Sequence, residues 1–386
     1  MPCPSGWNEV TALSPDAPDT PDGREAGGIL TVDLAALVAN WRLAAAIAGT
    51  AACAAVMKAD AYGTGIAAAG PALAAAGCET FFVAHLSEAR RLRAAVQGAT
   101  IYVLNGLLPG TEPIYPALGL RPVLGSRDEI DAWMAFQIAQ GTDLPAALHV
   151  DTGMNRLGLE VAEALELASG SGGFRPALLI SHLACADEPD HPLTARQLAG
   201  FAAVRAVFQD VPGSLANSSG LFGVPASHHD LVRPGYALYG GNPTPRTENP
   251  MRPVVTLEAR IIQVGSAEDG EGVGYGAGWT AQGRRRLAVA SVGYADGYPR
   301  ALSGRDGQPG GAAMVHGVRC PLAGRVSMDL VTIDVTDVPV PVRRGDVARL
   351  IDETLTVDAV GAAAGSIGYE VLTGLGRRYH RRYVGA

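Results

Sequence analysis

The chain has 386 residues, 48% of them hydrophobic and only 6% aromatic, with a formal net charge of −8. That length exceeds one ordinary domain, and the acidic balance argues against a nucleic-acid partner, whose binding needs a cation-rich face. The five cysteines, Cys3, Cys53, Cys78, Cys185 and Cys320, are irregularly spaced with no CxxC, which excludes a disulfide framework or zinc ribbon and fits a reducing, cytoplasmic compartment.

Residues 1–27 are rich in Pro, Ser, Asp and Gly and read as a disordered tail. No basic start precedes an apolar run there, so no secretory signal is expected. The best membrane candidate, 43–57, is an uncharged run of 15 residues. A span needs about 20 apolar residues, so this run is expected to be buried structure and no membrane partner is expected.

From Ile29 onward, short apolar runs alternate with helical stretches. "AAVM" (54–57) precedes a helix near 65–76, and "TFFVAH" (80–85) precedes one at 87–96. "IYVL" (101–104) follows, then "PVLGS" (122–126) before a helix at 128–140. "AALHVDT" (146–152) leads to a helix near 161–169, and "ALLISHL" (177–183) to one at 193–208. "SLANSSG" (214–220) and "LVRPGYALYG" (231–240) complete eight units. This α/β rhythm predicts a closed (β/α)8 TIM-like barrel over 28–245. An open doubly wound sheet is the alternative, but the glycines lack its GxGxxG fingerprint. Beyond about 245, β-rich runs with turn signals predict a separate, mostly antiparallel β domain over 246–386.

Lys58, in "AAVMKADAYGTG", is the only lysine; the other 29 cations among Lys and Arg are arginine. Arginine stays protonated and supplies charge alone. A desolvated lysine can lose its proton and form a Schiff base. Lys58 also ends an apolar strand, the end that faces the catalytic mouth of a barrel. Tyr62 follows in a turn with Gly63 and Gly65, where its hydroxyl could meet a phosphate or carbonyl. The loops after barrel strands seven and eight often bind phosphate. Here they read "NSSG" (Asn217–Gly220) and "RPGY" (Arg233–Tyr236), with hydroxyls and glycine-backed amides suited to a dianion. An imine-forming lysine and a phosphate cradle at one mouth point to pyridoxal 5′-phosphate. No metal site is expected.

At this point "VMKADAYGTG", "HVDTGMNRLGL", "ISHLACAD", "LANSSG", "LVRPGYALYG", "VGYGAGWTA", "SVGYADGYPR", "GRVSMDLVTID" and "GYEVLTGLGRRYHR" together resemble the alanine racemases, in order and spacing, from about Ile29 to Arg382. The resemblance implies that Lys58 binds the cofactor. It implies phosphate ligands at Tyr62, Ser218, the Gly235 and Tyr236 amides and Tyr369, with Asn217 in the same loop. Arg233 would face the pyridine nitrogen and leave it unprotonated. Lys58 and Tyr275 would be the two proton-transfer groups on opposite faces of the substrate carbanion. His182, backed by Arg233, would hydrogen-bond Tyr275. Arg156 would lie near the cofactor phenolate and the substrate carboxylate, the Met328 amide would also meet that carboxylate with Asp329 beside it, and Tyr294 would line the entrance. Family members are head-to-tail homodimers, so Tyr275 would come from the second chain.

Five positions depart from the family pattern. Thr64 stands where His is usual, Ser214 where a histidine often supports the pyridine-facing arginine, and Ser327 in place of a frequent cysteine. Tyr236 is bulkier than the common aliphatic residue. His149 occupies the place of a lysine that can be carbamylated, so no carbamate is expected, and Arg156 needs His149, another acceptor or an anion. The expected function is racemisation of L- and D-alanine, supplying D-alanine for peptidoglycan. Alternatives are a racemase of serine or of broader range, a barrel-type decarboxylase, and a barrel that only carries the cofactor.

Overall fold

A computed structural model of the chain describes residues 21–169, 174–188 and 190–385. Most of the expected tail, 1–20, lies outside the described residues. Residues 21–27 are held against the β domain, because the Arg260 guanidinium collects the carbonyls of Gly23 and Ala26.

Parallel strands Ala55–Val56, Thr80–Val83, Thr100–Val103, Leu120–Leu124, Ala147–Asp151, Leu178–Ile180 and Gly213–Ser214 pair in sequence order. Leu231–Val232 closes the ring. It runs parallel to Ala52–Cys53 on one side, and on the other the Asp230 and Arg233 amides donate to Gly213 and Ala216. Closure rules out the open-sheet alternative. The strands are mostly apolar, as two covered faces require; Phe81, Phe82, Ala147, Leu148, Val150 and Leu179 are all wholly buried.

Helices Ile66–Ala75, Leu86–Ala95, Arg127–Gln140, Val161–Ser169 and Pro192–Val207 fall within about two residues of their predicted limits. Ser126 caps one of them by accepting from the Glu129 amide, and Pro192 opens another at its first position. Strands seven and eight are followed only by the short turns Ser218–Gly223 and Tyr236–Tyr239. The outer helix of that sector is Leu34–Ala48, which comes before the barrel strands. Its buried Asn40 amide donates to Leu238 and Arg252 carbonyls. The run 43–57 therefore spans the end of this helix and the first barrel strand. No helix among the described residues is long and apolar enough to cross a membrane.

The β domain is built on Val255–Ala267, which pairs antiparallel with Arg285–Ala290 and Val347–Ile351. The domain boundary needs one correction. Gly28–Asp33, assigned from sequence to the barrel, lies in this second sheet, antiparallel to Val255–Ala267 and parallel to His380–Val384. Leu30 and Val32 are wholly buried there. The β domain thus contains both the first and the last described strands, and the barrel is inserted between them.

Candidate active site

Lys58 follows the strand Ala55–Val56, and the next four residues turn the backbone the unusual way. Ala59, Asp60, Ala61 and Tyr62 have φ of 53°, 55°, 55° and 52°. A left-handed conformation costs a non-glycine residue about 1–2 kcal/mol, so the surroundings must over-determine it. Glu88 accepts from the Ala59 amide at 2.6 Å with one oxygen and from Ala84 and His85 amides at 2.8 and 3.1 Å with the other. Asp60 accepts from the Ile66 amide at 2.9 Å and pairs with Arg91 at 2.8 Å. From the β domain, Arg381 donates to the Gly63 carbonyl and the Tyr383 hydroxyl to the Thr64 carbonyl. Thr64 itself is wholly buried and donates to Ala61 O at 2.5 Å, so this departure from the family pattern closes the turn.

Lys58 reaches a cavity of about 240 Å³ shared with Asn105, His149, Arg156, His182 and Arg233. Its side chain keeps one face open to solvent. Desolvation and the Arg156 charge lower its pKa, with Glu88 opposing, which favours the free amine.

Arg233 forms the cavity floor. It is 4% exposed and donates to Ser214 O at 2.7 Å, Ser214 Oγ at 2.6 Å and Ser181 O at 2.6 Å. The Ser214 hydroxyl in turn donates a hydrogen bond to Leu231 O at 2.5 Å. That second departure therefore still supports the arginine. Burial lowers the Arg233 pKa to about 10, which leaves it charged at neutral pH. His182 takes a further Arg233 N–H at Nδ1, 3.4 Å away. Burial, then Arg233, Arg156, Lys58 and His149, hold the His182 pKa well below the usual range. Neutral His182 with an acceptor at Nδ1 carries its proton on Nε2. His149 is likewise buried, with its pKa lowered to about 4 by desolvation first and Arg233 second. Arg156 lines the same cavity. Its guanidinium has no side-chain acceptor among the described residues, and its backbone amide is held by Asp151 at 3.0 Å.

At the other end of the mouth, the Ser218 hydroxyl accepts from Gly235 and Ala237 amides at 3.0 and 3.3 Å. Gly235 has no room for a Cβ, because the Tyr62 hydroxyl occupies that position. The Ser218 and Tyr62 hydroxyls thus meet at the Gly235 backbone, and hydroxyls beside a glycine-backed turn suit a phosphate dianion, so the residues fit a phosphate-bearing cofactor. Asn217 is occupied otherwise. It caps the helix Ser218–Gly223 by accepting from Gly220 N and donates to Leu183 O. The Tyr236 hydroxyl is taken by Asp358, and its ring stacks on Tyr369 with 3.7 Å between centroids.

Tyr275, Tyr294, Met328 and Asp329 do not line this cavity within one chain. Tyr275, Tyr294 and Met328 are 71%, 41% and 54% exposed. Asp329 accepts from Arg378 at 2.9 Å, and Ser327 closes a local turn by exchanging hydrogen bonds with Leu330. Sequence reasoning missed Glu88, Arg381, Tyr383 and Asn105. A signal existed for Glu88 alone, an acid three residues into a helix, where it can reach back to the cap amide. Among the described residues no group of three or more His, Cys, Asp or Glu could hold a metal.

The family pattern "Alanine racemase, N-terminal domain" matches residues 32–243, and "Alanine racemase, C-terminal domain" matches 254–383. An alanine racemase of Methylobacterium nodulans is 60% identical over 361 residues, covering 93% of this chain and 96% of that one. A biosynthetic alanine racemase of Agrobacterium fabrum is 48% identical over 365 residues, covering 92% and 93%. Among solved structures, that of Bartonella henselae alanine racemase with covalently bound pyridoxal phosphate superposes with a TM-score of 0.88 at 37% identity, covering 93% of this chain and 100% of that one.

Proposed function

The chain belongs to the alanine racemase family of isomerases, and on that premise we propose that it interconverts L- and D-alanine with pyridoxal 5′-phosphate held covalently by Lys58. The observation that carries the reading is the placement of the only lysine at the mouth of the barrel, in one cavity with Arg233. The Ser218, Gly235 and Tyr62 cradle stands beside it.

When bound, the cofactor supplies a conjugated ring that spreads the negative charge developing at the substrate Cα. Tyr62, Ser218, Tyr369 and the Gly235 and Tyr236 amides would hold its phosphate. Arg233 uses Nη1 and Nη2 on Ser214, Ser181 and His182, and its Nε–H has no acceptor among the described residues. That is the donor left for the pyridine nitrogen. Because Arg233 keeps its proton, a pyridine nitrogen facing it would stay unprotonated, which would disfavour transamination.

Lys58 would be freed as a neutral amine once the substrate amine takes its place on the cofactor, and its lowered pKa then suits it to take or return the Cα proton on one face. Tyr275 serves the other face from a second copy of the chain. The exposure of Tyr275 and Met328 supports a head-to-tail homodimer in which each β domain covers the other's barrel mouth. The Nε2–H of neutral His182 is the donor available to Tyr275. Arg156 and the Met328 amide meet the carboxylate end of the substrate, with Asp329 beside Met328 and engaged by Arg378, and Tyr294 lines the way in. The cellular role on this reading is synthesis of D-alanine for peptidoglycan in the cytoplasm; the name of the Agrobacterium relative supports the biosynthetic direction alone, and a second Agrobacterium relative is named catabolic.

Borohydride reduction, digestion and mass measurement should find the pyridoxyl group on the peptide containing Lys58. Incubation with each alanine enantiomer in D2O should give both α-proton exchange and inversion. Decarboxylation, or binding without exchange, would overturn the reading. A serine-containing substrate panel decides the breadth of the side-chain pocket.

A further inference from the structure

Four tyrosine rings stand in a row behind the phosphate end of the cavity. Tyr239 stacks on Tyr62 at 4.6 Å between centroids, Tyr62 tilts toward Tyr369 at 6.3 Å, and Tyr369 stacks on Tyr236 at 3.7 Å with 13° between planes. The two outer rings are anchored through their hydroxyls. Tyr239 donates to Val56 O at 3.0 Å, and Tyr236 donates to Asp358 Oδ1 at 2.6 Å. Among the described residues, the two inner hydroxyls, of Tyr62 and Tyr369, donate to no protein group.

Asp358 sits in the first turn of helix Val357–Ala363, in the β domain. Tyr236 belongs to the turn after the last barrel strand. The second Asp358 oxygen accepts from the Asn242 amide at 3.0 Å, so one carboxylate ties the barrel's last loop to the β domain twice. Gly241 and Gly368 flank the Tyr236 side chain closely enough that a Cβ on either would collide with it. The ring therefore has one slot, flat against Tyr369. Tyr369 is 38% exposed in the single chain, and this stack is its closest aromatic contact. Stacked pairs contribute about 0.5–1.5 kcal/mol beyond their burial, enough to bias a half-exposed side chain.

We propose that Asp358 is a positioning residue for cofactor retention: its hydrogen bond fixes the Tyr236 ring, and the stack on that ring presets the Tyr369 hydroxyl for the phosphate group. The inference rests on the reading of Tyr369 as a phosphate ligand. Burial first, then the Asp358 hydrogen bond, raises the Tyr236 pKa, so the phenol remains the donor at any working pH.

Titrating the apoenzyme with pyridoxal 5′-phosphate and following visible absorbance tests this. Asp358→Ala should raise the dissociation constant about 5–10-fold, a fraction of a charge-assisted hydrogen bond. Asp358→Asn, whose amide oxygen still accepts from the phenol, should stay within about twofold of wild type. In a Tyr369→Phe background, Asp358→Ala should change affinity less than about twofold, since the hydroxyl it positions is gone. Unchanged affinity in Asp358→Ala, or the same loss in both backgrounds, overturns the inference. Should Asp358→Ala fail to fold, Tyr236→Phe replaces it in the same cycle and is judged by the same two outcomes. A wild-type chain that takes up no cofactor at Lys58 overturns the functional reading and this inference with it. Normal uptake with no effect of Asp358 overturns the inference alone.

Discussion

Arg233 reaches Nδ1 of His182 at 3.4 Å, and that contact decides which nitrogen of the ring carries the proton. A guanidinium has no lone pair to offer, so Nδ1 must accept and Nε2–H must donate. Burial first, and the fixed positive charge of Arg233 second, keep His182 and His149 neutral.

Neutral buried histidines make the fold sensitive to acid. His149 has a folded pKa of about 4, against about 6.5 unfolded. Between those values the unfolded chain binds more protons, so stability falls as pH falls through the window from 6.5 to 4. The full window corresponds to about 3 kcal/mol for His149, and His182 acts in the same direction. Urea denaturation at pH 7 and pH 4.5 should show a smaller acid loss in His149→Gln than in wild type. An identical pH difference in the two proteins would sink this account.

Glu88 holds three backbone amides around the Lys58 turn. Glu88→Ala leaves those donors to water and releases a left-handed segment. The expected cost is about 2–4 kcal/mol in urea denaturation, with slower uptake of pyridoxal phosphate. Glu88→Gln should be intermediate, because it keeps acceptors and loses charge. Wild-type stability in the alanine variant would mean that the turn is held elsewhere.

Gly235→Ala places a methyl group where the Tyr62 hydroxyl lies, within 3.3 Å of Val56 Cβ. Tyr62 cannot retreat easily, being stacked on Tyr239. Overpacking of this kind costs about 1–3 kcal/mol. Cofactor affinity should fall at least about tenfold in the same absorbance titration. Retained affinity would show that the phosphate cradle lies elsewhere.

Tyr275 is 71% exposed and lies outside the Lys58 cavity. If two chains complete each site, Lys58→Ala and Tyr275→Ala proteins should each be inactive and should regain part of the activity when mixed. Subunit exchange, followed by mass-tagged protomers, provides the control. Exchange without any recovered racemisation would rule out shared sites.

The reach of the bare sequence is clearest at the barrel strands. Runs such as 80–85 and 177–183 are apolar because both faces of a parallel sheet are covered, and that constraint is local enough to read along the chain. The identity of Lys58 was equally plain, because amine chemistry belongs to the residue type alone. The positions of Tyr62, Ser218 and Gly235 came from motif order, and the structure puts these three side by side.

Other features needed the folded chain. Gly28–Asp33 looks like any strand, and only its pairing with Val255–Ala267 and His380–Val384 takes it out of the barrel. The turn after Lys58 is built from alanines, aspartate and tyrosine, none of which announces positive φ; Arg381, 318 positions away, helps hold it. The Asp358 to Tyr236 bond spans 122 positions. Periodicity and residue chemistry act over a few neighbours and can be read in one dimension. Hydrogen bonds between distant segments depend on how two domains meet, and so they emerge only when the chain has closed on itself.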